Sequence, residues 1–232
     1  MIPAPANSPA PGRAARCRGF TLIELMLAIT IFAMVVGVIF SSFQAGISAW
    51  QGGERDIAFY QSMRAVTDLL FREISGTYAY KINTGELDSH KEFSAFFGTS
   101  ESLVLVSTAT LRNRIGGLSL IELWVDDDRG LMIGEAPALF GDYAEMRGIN
   151  LRSDEHAGLV SGWVKKMKLR YFRRDGDDDN GVWLEQWDVR GGDSSSNDHD
   201  LPLMVEIVLL FEDIRGHKIE QSLLVPVMSR PF

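Results

Sequence analysis

Cysteine is almost missing from this chain. Cys17 is the only one among 232 residues, which excludes an intrachain disulfide and any CxxC redox or metal site. No apolar signal region precedes Cys17, so it does not read as a lipoprotein anchor. Enzymatic signatures are missing too. The sequence holds no HExxH, GxSxG, P-loop or GxGxxG pattern, and such patterns carry the geometry of the common hydrolytic, phosphate-binding and dinucleotide sites. His90, His156, His199 and His217 are scattered with no ligand-like spacing. Acidic residues are absent from the first 19 positions, where Arg13, Arg16 and Arg18 stand. The rest of the chain therefore carries 20 basic against 31 acidic residues, a formal charge of −11. A chain this acidic lacks the basic patches that nucleic acid or anionic lipid would require of its soluble part. These absences point away from an enzyme.

What is present is one long apolar run. Phe20 to Phe40 is 21 residues with a single charge, Glu24. As a helix rising ~1.5 Å per residue it spans roughly 31 Å, about one hydrocarbon core. A secretory signal has a shorter apolar core followed by a small-x-small cleavage site, which "SSFQAGISAW" matches poorly. The arginines lie only on the N-terminal side, so the positive-inside rule keeps that end in the cytoplasm and places the remainder beyond the inner membrane. An acidic side chain in mid-bilayer costs about 2.5–3.5 kcal/mol on insertion scales, and such residues are usually functional.

The stretch "RGFTLIELMLAITIF" resembles the class III signal of type IV pilins and of the pseudopilins of type II secretion. The resemblance implies that a prepilin peptidase cuts between Gly19 and Phe20 and methylates the new N-terminal Phe20. Residues 1–19 are then a removed leader, and Glu24 becomes the fifth residue of the mature chain. Trimming creates a cationic amine at the membrane. The Glu24 carboxylate of a neighbouring subunit would neutralise it, turning two costly charges into one pair and setting the axial register of a filament. The expected location is the bacterial inner membrane, single-pass, with a periplasmic C-terminal domain.

Helical periodicity continues past the membrane-length segment (20–41) into an amphipathic half (42–80). Phe59, Met63, Val66, Leu70 and Ile74 recur at spacings that form one apolar stripe, read as core packing on a sheet. Glu54, Arg55, Arg64, Asp68, Arg72 and Glu73 are expected mostly on other faces, with Asp68 and Arg72 as an i,i+4 pair. Gly46, Gly52 and Gly53 lie between the halves. Each costs roughly 1 kcal/mol in a helix interior, so a bend or break near Gly52–Gly53 is plausible.

From residue 81 to 232 the texture is β-rich. "SLVLVS", "LSLIELWVD", "KMKLRYF", "GVWLEQWDV", "LMVEIVLLF" and "KIEQSLLVPV" read as strands separated by turn-rich spacers. In "KMKLRYF", Met167, Leu169 and Tyr171 share one face. The fold class expected is α+β and pilin-like, a long N-terminal helix on antiparallel sheet. Trp183 and Trp187, four apart on a strand, are expected on a common face in a sheet core or at a sheet edge. "DDDRG" (Asp126–Gly130) reads as a hairpin turn. "DGDDDNG" invites a calcium reading, because Asp175, Asp177 and Asp179 have the alternate spacing of an EF-type loop. Asn180 stands where that loop needs glycine and Gln186 where it needs glutamate, so a solvated acidic turn is favoured and no cofactor is expected.

The strand ending "LRYF", the acidic turn, the two tryptophans and "LPLMVEIVLLF" resemble the J-type minor pseudopilin of type II secretion. That resemblance implies partnership with I-type and K-type minor pseudopilins in a pseudopilus tip complex, which starts assembly of the major G-type pseudopilin from an inner-membrane assembly platform. A minor pilin of a type IV pilus shares the whole N-terminal argument. A calcium- or ligand-binding periplasmic module on an uncleaved signal anchor is the reading from another class.

Overall fold

One helix, α1, runs without interruption from Leu22 to Ser75. Its first part is rich in Leu, Ala and Met, which lose little on entering a helix. Two hydroxyls in it are satisfied internally: Thr30 Oγ1 donates to the carbonyls of Leu27 at 2.8 Å and Met26 at 3.1 Å, and Ser41 Oγ to that of Gly37 at 2.9 Å. That bonding suits hydrocarbon surroundings, which offer no other partner. Gly52 and Gly53 do not break the helix, because hydrogen bonding continues on both sides and outweighs roughly 1 kcal/mol per glycine.

The structure, a computed structural model, describes residues 19–83, 92–109, 117–174, 181–188 and 201–228. It divides into two compact units, Met1–Arg55 and Asp56–Phe232. In the first unit every described residue from 19 to 51 is exposed, including Leu22, Phe32, Met34 and Phe40. This is the one described helix long and apolar enough to cross a membrane.

The second unit builds a core around the end of α1. Phe59, Val66, Leu70 and Ile74 are buried along one stripe, as the spacing predicts, and Met63 packs at its margin. Burying each such side chain contributes about 1.5–3 kcal/mol. Phe59 sets its ring edge-on against Trp163 at 5.4 Å and Phe211 at 6.4 Å.

Two antiparallel sheets receive this stripe. The first has five strands in sequence order: β3 (Phe96–Gly98), β4 (Ser102–Ser107), β5 (Ser119–Asp126), β6 (Gly130–Pro137) and β7 (Ala157–Ser161). The second has four in the order β11-β10-β8-β9, where β8 is Val164–Arg174, β9 Gly181–Leu184, β10 Met204–Glu212 and β11 Lys218–Pro226. The expected α+β class is thus observed, with more strands than the sequence reading found.

The five-stranded sheet is buried on both faces, which explains its near-continuous apolar runs. Leu103, Leu123 and Ile133 lie in register on the face toward α1. Val106, Leu120 and Ala136 form the opposite face. That second face is covered by a two-stranded ribbon, β1 (Lys81–Asn83) with β2 (Glu92–Ser94), and by the short helix α2 (Tyr143–Gly148), through Ile82, Phe93 and Met146. Asp142 caps α2 by accepting from the Glu145 amide at 2.8 Å, and Glu145 reaches back to the Gly141 amide at 2.8 Å. This reciprocal pattern satisfies two amides that the helix leaves orphaned.

In the four-stranded sheet, β8 alternates as predicted: Met167, Leu169 and Tyr171 point into the core while Lys166, Lys168 and Arg170 are exposed. Tyr171 from this sheet reaches β3 of the other, and its hydroxyl donates to the Thr99 carbonyl at 2.8 Å. A Cβ on Gly98 would sit 2.1 Å from that hydroxyl oxygen, so only glycine fits beneath the ring. The β5–β6 hairpin turns at "DDDRG" as expected. Asp126 Oδ1 accepts from the amides of Asp128 at 3.2 Å and Arg129 at 2.9 Å, and Gly130 takes φ +99°.

Two expectations fail. Glu73 is not on an outer face: it is completely buried on the α1 stripe, because it falls three residues after Leu70 and beside Ile74. Trp183 and Trp187 do not share a face. Strand β9 ends at Leu184, so the alternation stops before the second ring. Trp183 is 37% exposed and lies against Phe172, at 5.1 Å between ring centres, whereas Trp187 is 4% exposed in the core and bridges to Gly98 of β3.

Candidate functional site

The N-terminal end of α1 gathers the residues that the sequence singles out. Thr21 precedes the first helical residue, and its Oγ1 accepts from the Glu24 amide at 3.3 Å. Its carbonyl takes the first helical bonds, from Glu24 at 3.1 Å and Leu25 at 3.2 Å. Thr21 is therefore the N-cap and Glu24 the third helical residue. Thr-x-x-Glu is the sequence of a capping box, in which the acid also favours the positive end of the helix dipole. Glu24 thus has a local role in starting the helix that the reading from charge alone missed. The signal was in the sequence, in the three-residue spacing from Thr21.

A capping role does not consume Glu24. Its carboxylate is exposed, as are its neighbours, and Phe20 is 81% exposed. Around Gly19 a Cβ would meet nothing within 4 Å. Gly19, Phe20 and Glu24 therefore form a short, accessible segment at the head of an apolar helix. Such a segment is open to a processing enzyme, and its carboxylate is open to a partner's cation.

Other candidates fall elsewhere. Asp175, Asp177 and Asp179 lie outside the described residues, as do His90 and His199. Among the described residues no cluster of three or more His, Cys, Asp or Glu side chains could hold a metal. His217 meets Asp213 at 3.0 Å in the β10–β11 turn, where it serves the turn itself. His156 lies before β7, with its carbonyl accepting from the Glu135 amide at 3.2 Å.

Two titratable groups in the second unit are strongly perturbed, Glu73 and Tyr171. Burial pushes the Glu73 carboxyl up to about 7, and nearby Glu135 adds to the effect, while the Ser107 hydroxyl and Arg72 oppose it. Burial also pushes the Tyr171 phenol up. At the β5–β6 turn the Arg129 amide and its neighbours hold Asp126 below the usual carboxylate range.

A family profile, the prokaryotic N-terminal methylation motif, matches residues 14–40. The match contains Gly19, Phe20, Thr21 and Glu24 and most of the exposed apolar part of α1. It is the signal of chains processed by prepilin peptidases, and it supports a type IV pilin-like, membrane-anchored protein. No curated protein matches the chain.

Proposed function

We propose that the chain is a minor pseudopilin of type II secretion, of the J type, acting as a structural subunit of the pseudopilus tip. The observation that carries this reading is one helix with two characters. Its head bears the methylation motif on a fully exposed apolar surface, and its tail is the buried stripe of an α+β unit. A subunit shared between membrane and filament needs both. The J-type assignment rests on the resemblance in β8, β9 and β10.

In this reading prepilin peptidase cuts between Gly19 and Phe20 and methylates Phe20. Residues 20–41 hold the subunit in the inner membrane, with the leader side cytoplasmic and the β-rich part periplasmic. The freed amine of one subunit meets the Glu24 carboxylate of the next, and each charge then has a partner in a medium where neither is tolerated alone. I-type and K-type subunits complete the tip, and the G-type subunit extends it from the assembly platform. Loss of exposed apolar area accompanies each step of assembly.

Mass spectrometry of the protein from its host tests the processing, which should give a methylated Phe20 as the first residue. An intact Met1, or a cut beyond Phe40, overturns the reading in favour of an uncleaved anchor. Co-purification with I-type and K-type partners tests the type. Processing without binding to either assigns the chain to a type IV pilus.

A further inference from the structure

The last turn of α1 carries an acid where the packing calls for a hydrocarbon. Glu73 is fully buried, and neither carboxylate oxygen meets a hydrogen-bond donor at bonding geometry. An ionised carboxylate in that position has lost its water, and the Ser107 hydroxyl and Arg72 offset only part of that loss. The neutral acid removes most of that cost.

The surroundings form a polar corner on the face of the five-stranded sheet toward α1. Ser107 at the end of β4 stands opposite Ser119 at the start of β5. In the next row Leu105, Ile121 and Glu135 align across β4, β5 and β6. Glu135 is 6% exposed and accepts from the Ser119 hydroxyl at 3.0 Å. The groups acting on Glu73 are therefore Arg72 on its own helix, Ser107 on β4 and Glu135 on β6. His156 stands close by, with its carbonyl on the Glu135 amide. Arg72 is exposed and screened by solvent, so it does not neutralise the buried acid.

We propose that Glu73 is a proton-operated latch: protonated, it fixes the last turn of α1 to the five-stranded sheet, and ionised, it releases that turn. A small set of hydrogen bonds holds the turn. The Gly76 amide donates to the Arg72 carbonyl at 2.9 Å, and the Thr77 amide and hydroxyl to the Ile74 carbonyl at 3.2 and 2.6 Å. The Tyr78 amide donates to the Val106 carbonyl at 2.8 Å and the Thr108 amide to the Gly76 carbonyl at 3.0 Å, so release breaks these ties to β4. Opening there lets water reach Glu73 without dismantling the core around Phe59 and Val66.

The sign follows from the direction of the shift. The folded state holds the proton more tightly than an open or unfolded one, whose glutamate titrates near 4.5. The latch is fully closed below that value, weakens as pH rises to about 7, and levels off above it. With a folded value of about 7, raising the pH from 5.5 to 8 should favour the open turn roughly 25- to 30-fold.

Hydrogen exchange on the full chain in detergent micelles reads this directly. After correction for intrinsic rates, amide protection over residues 70–77 should fall roughly 25- to 30-fold from pH 5.5 to pH 8, with a midpoint a little above pH 6 and a plateau above about 7. Glu73→Gln should be as protected at pH 8 as the natural chain at pH 5.5, with no midpoint. His156→Gln should keep the midpoint. The proposal is overturned by a flat profile in the natural chain, by an unchanged midpoint in Glu73→Gln, or by its loss in His156→Gln. Restored protection at pH 8 on adding calcium or magnesium would make the corner a cation site and overturn it too. If Glu73→Gln does not fold, infrared spectroscopy of the isotope-labelled natural chain serves instead. A protonated carboxyl band that disappears near pH 7 supports the latch, and the lack of one overturns it.

Discussion

Gly98 and Tyr171 offer the sharpest test of how the two sheets are held together. Replacing Gly98 by alanine puts a methyl carbon 2.1 Å from the Tyr171 hydroxyl oxygen, 2.2 Å from Cζ and 2.6 Å from Cε1. The ring has nowhere to retreat. It is completely buried, edge-on to Phe96 at 6.1 Å and tilted against Trp187 at 6.4 Å. Overpacking of this kind costs about 1–3 kcal/mol. Displacing the hydroxyl also strands the Thr99 carbonyl, at a further cost of about 1–3 kcal/mol. Gly98→Ala alone should therefore cost about 2–6 kcal/mol. Tyr171→Leu removes the same hydroxyl and most of the ring, and should cost about 3 kcal/mol. The informative quantity is the double variant. In the Tyr171→Leu background the added methyl enters space the ring has left, so Gly98→Ala should cost under about 1 kcal/mol there. The coupling is then about 1–5 kcal/mol, beyond the scatter between independent sites. Urea unfolding of the full chain in micelles, followed by tryptophan fluorescence, measures all four corners. Additivity within about 0.5 kcal/mol would refute the reasoning, because it would mean the close approach does not join the sheets.

Four further outcomes are expected. Glu24→Ala should insert into the membrane and be trimmed normally yet fail to enter the filament, as read by fractionation of sheared pseudopili; normal incorporation removes the pairing role. Leu70→Ala, at a fully buried position on α1, should lower the unfolding free energy by about 2–5 kcal/mol in the same urea experiment. Asp142→Ala removes the cap of α2 and should cost about 1 kcal/mol without changing the fold, as followed by circular dichroism. Calcium titration by calorimetry should give no heat beyond dilution, and a saturable heat abolished by Asp177→Asn would instead assign a metal to the acidic turn.

Much of the fold was legible because burial follows simple periods. The α1 stripe and the alternation of β8 are faithful to spacings of three or four and of two. The two-faced strands β4 and β5 could be located by their unbroken apolar runs. The ribbon β1–β2 and the strand β3 escaped notice because three-residue strands leave no period to read. Trp187 misled for a different reason. A strand that stops after Leu184 obeys no alternation beyond its end, and the residue that follows is placed by a bridge to Gly98, far away in sequence. At the head of the helix the opposite holds. Gly19, Phe20, Thr21 and Glu24 are adjacent, their chemistry is local, and their spacing could be read directly.

Glu24 and Glu73 show where that boundary runs. Both are acids set in an apolar stripe of the same helix, and both pose the question of what offsets the charge. For Glu24 the answer is written nearby. The threonine three residues earlier caps the helix, and the glycine five earlier is the trimming site of the proposed reading, in which trimming supplies a cation of opposite sign. For Glu73 nothing nearby in the sequence answers. Arg72 adjoins it but points to solvent, and the residues that surround the carboxylate come from β4, β5 and β6. Among the described residues acting on it, the one positive charge is that of exposed Arg72. A buried acid shielded from its cation has one inexpensive counterion left, the proton itself, and its stability then falls as pH rises, whereas that of a paired acid falls as pH drops. A charge in an apolar stripe is thus readable from sequence when its neutralising partner is local, and becomes readable from structure alone when the partner is a proton held by burial.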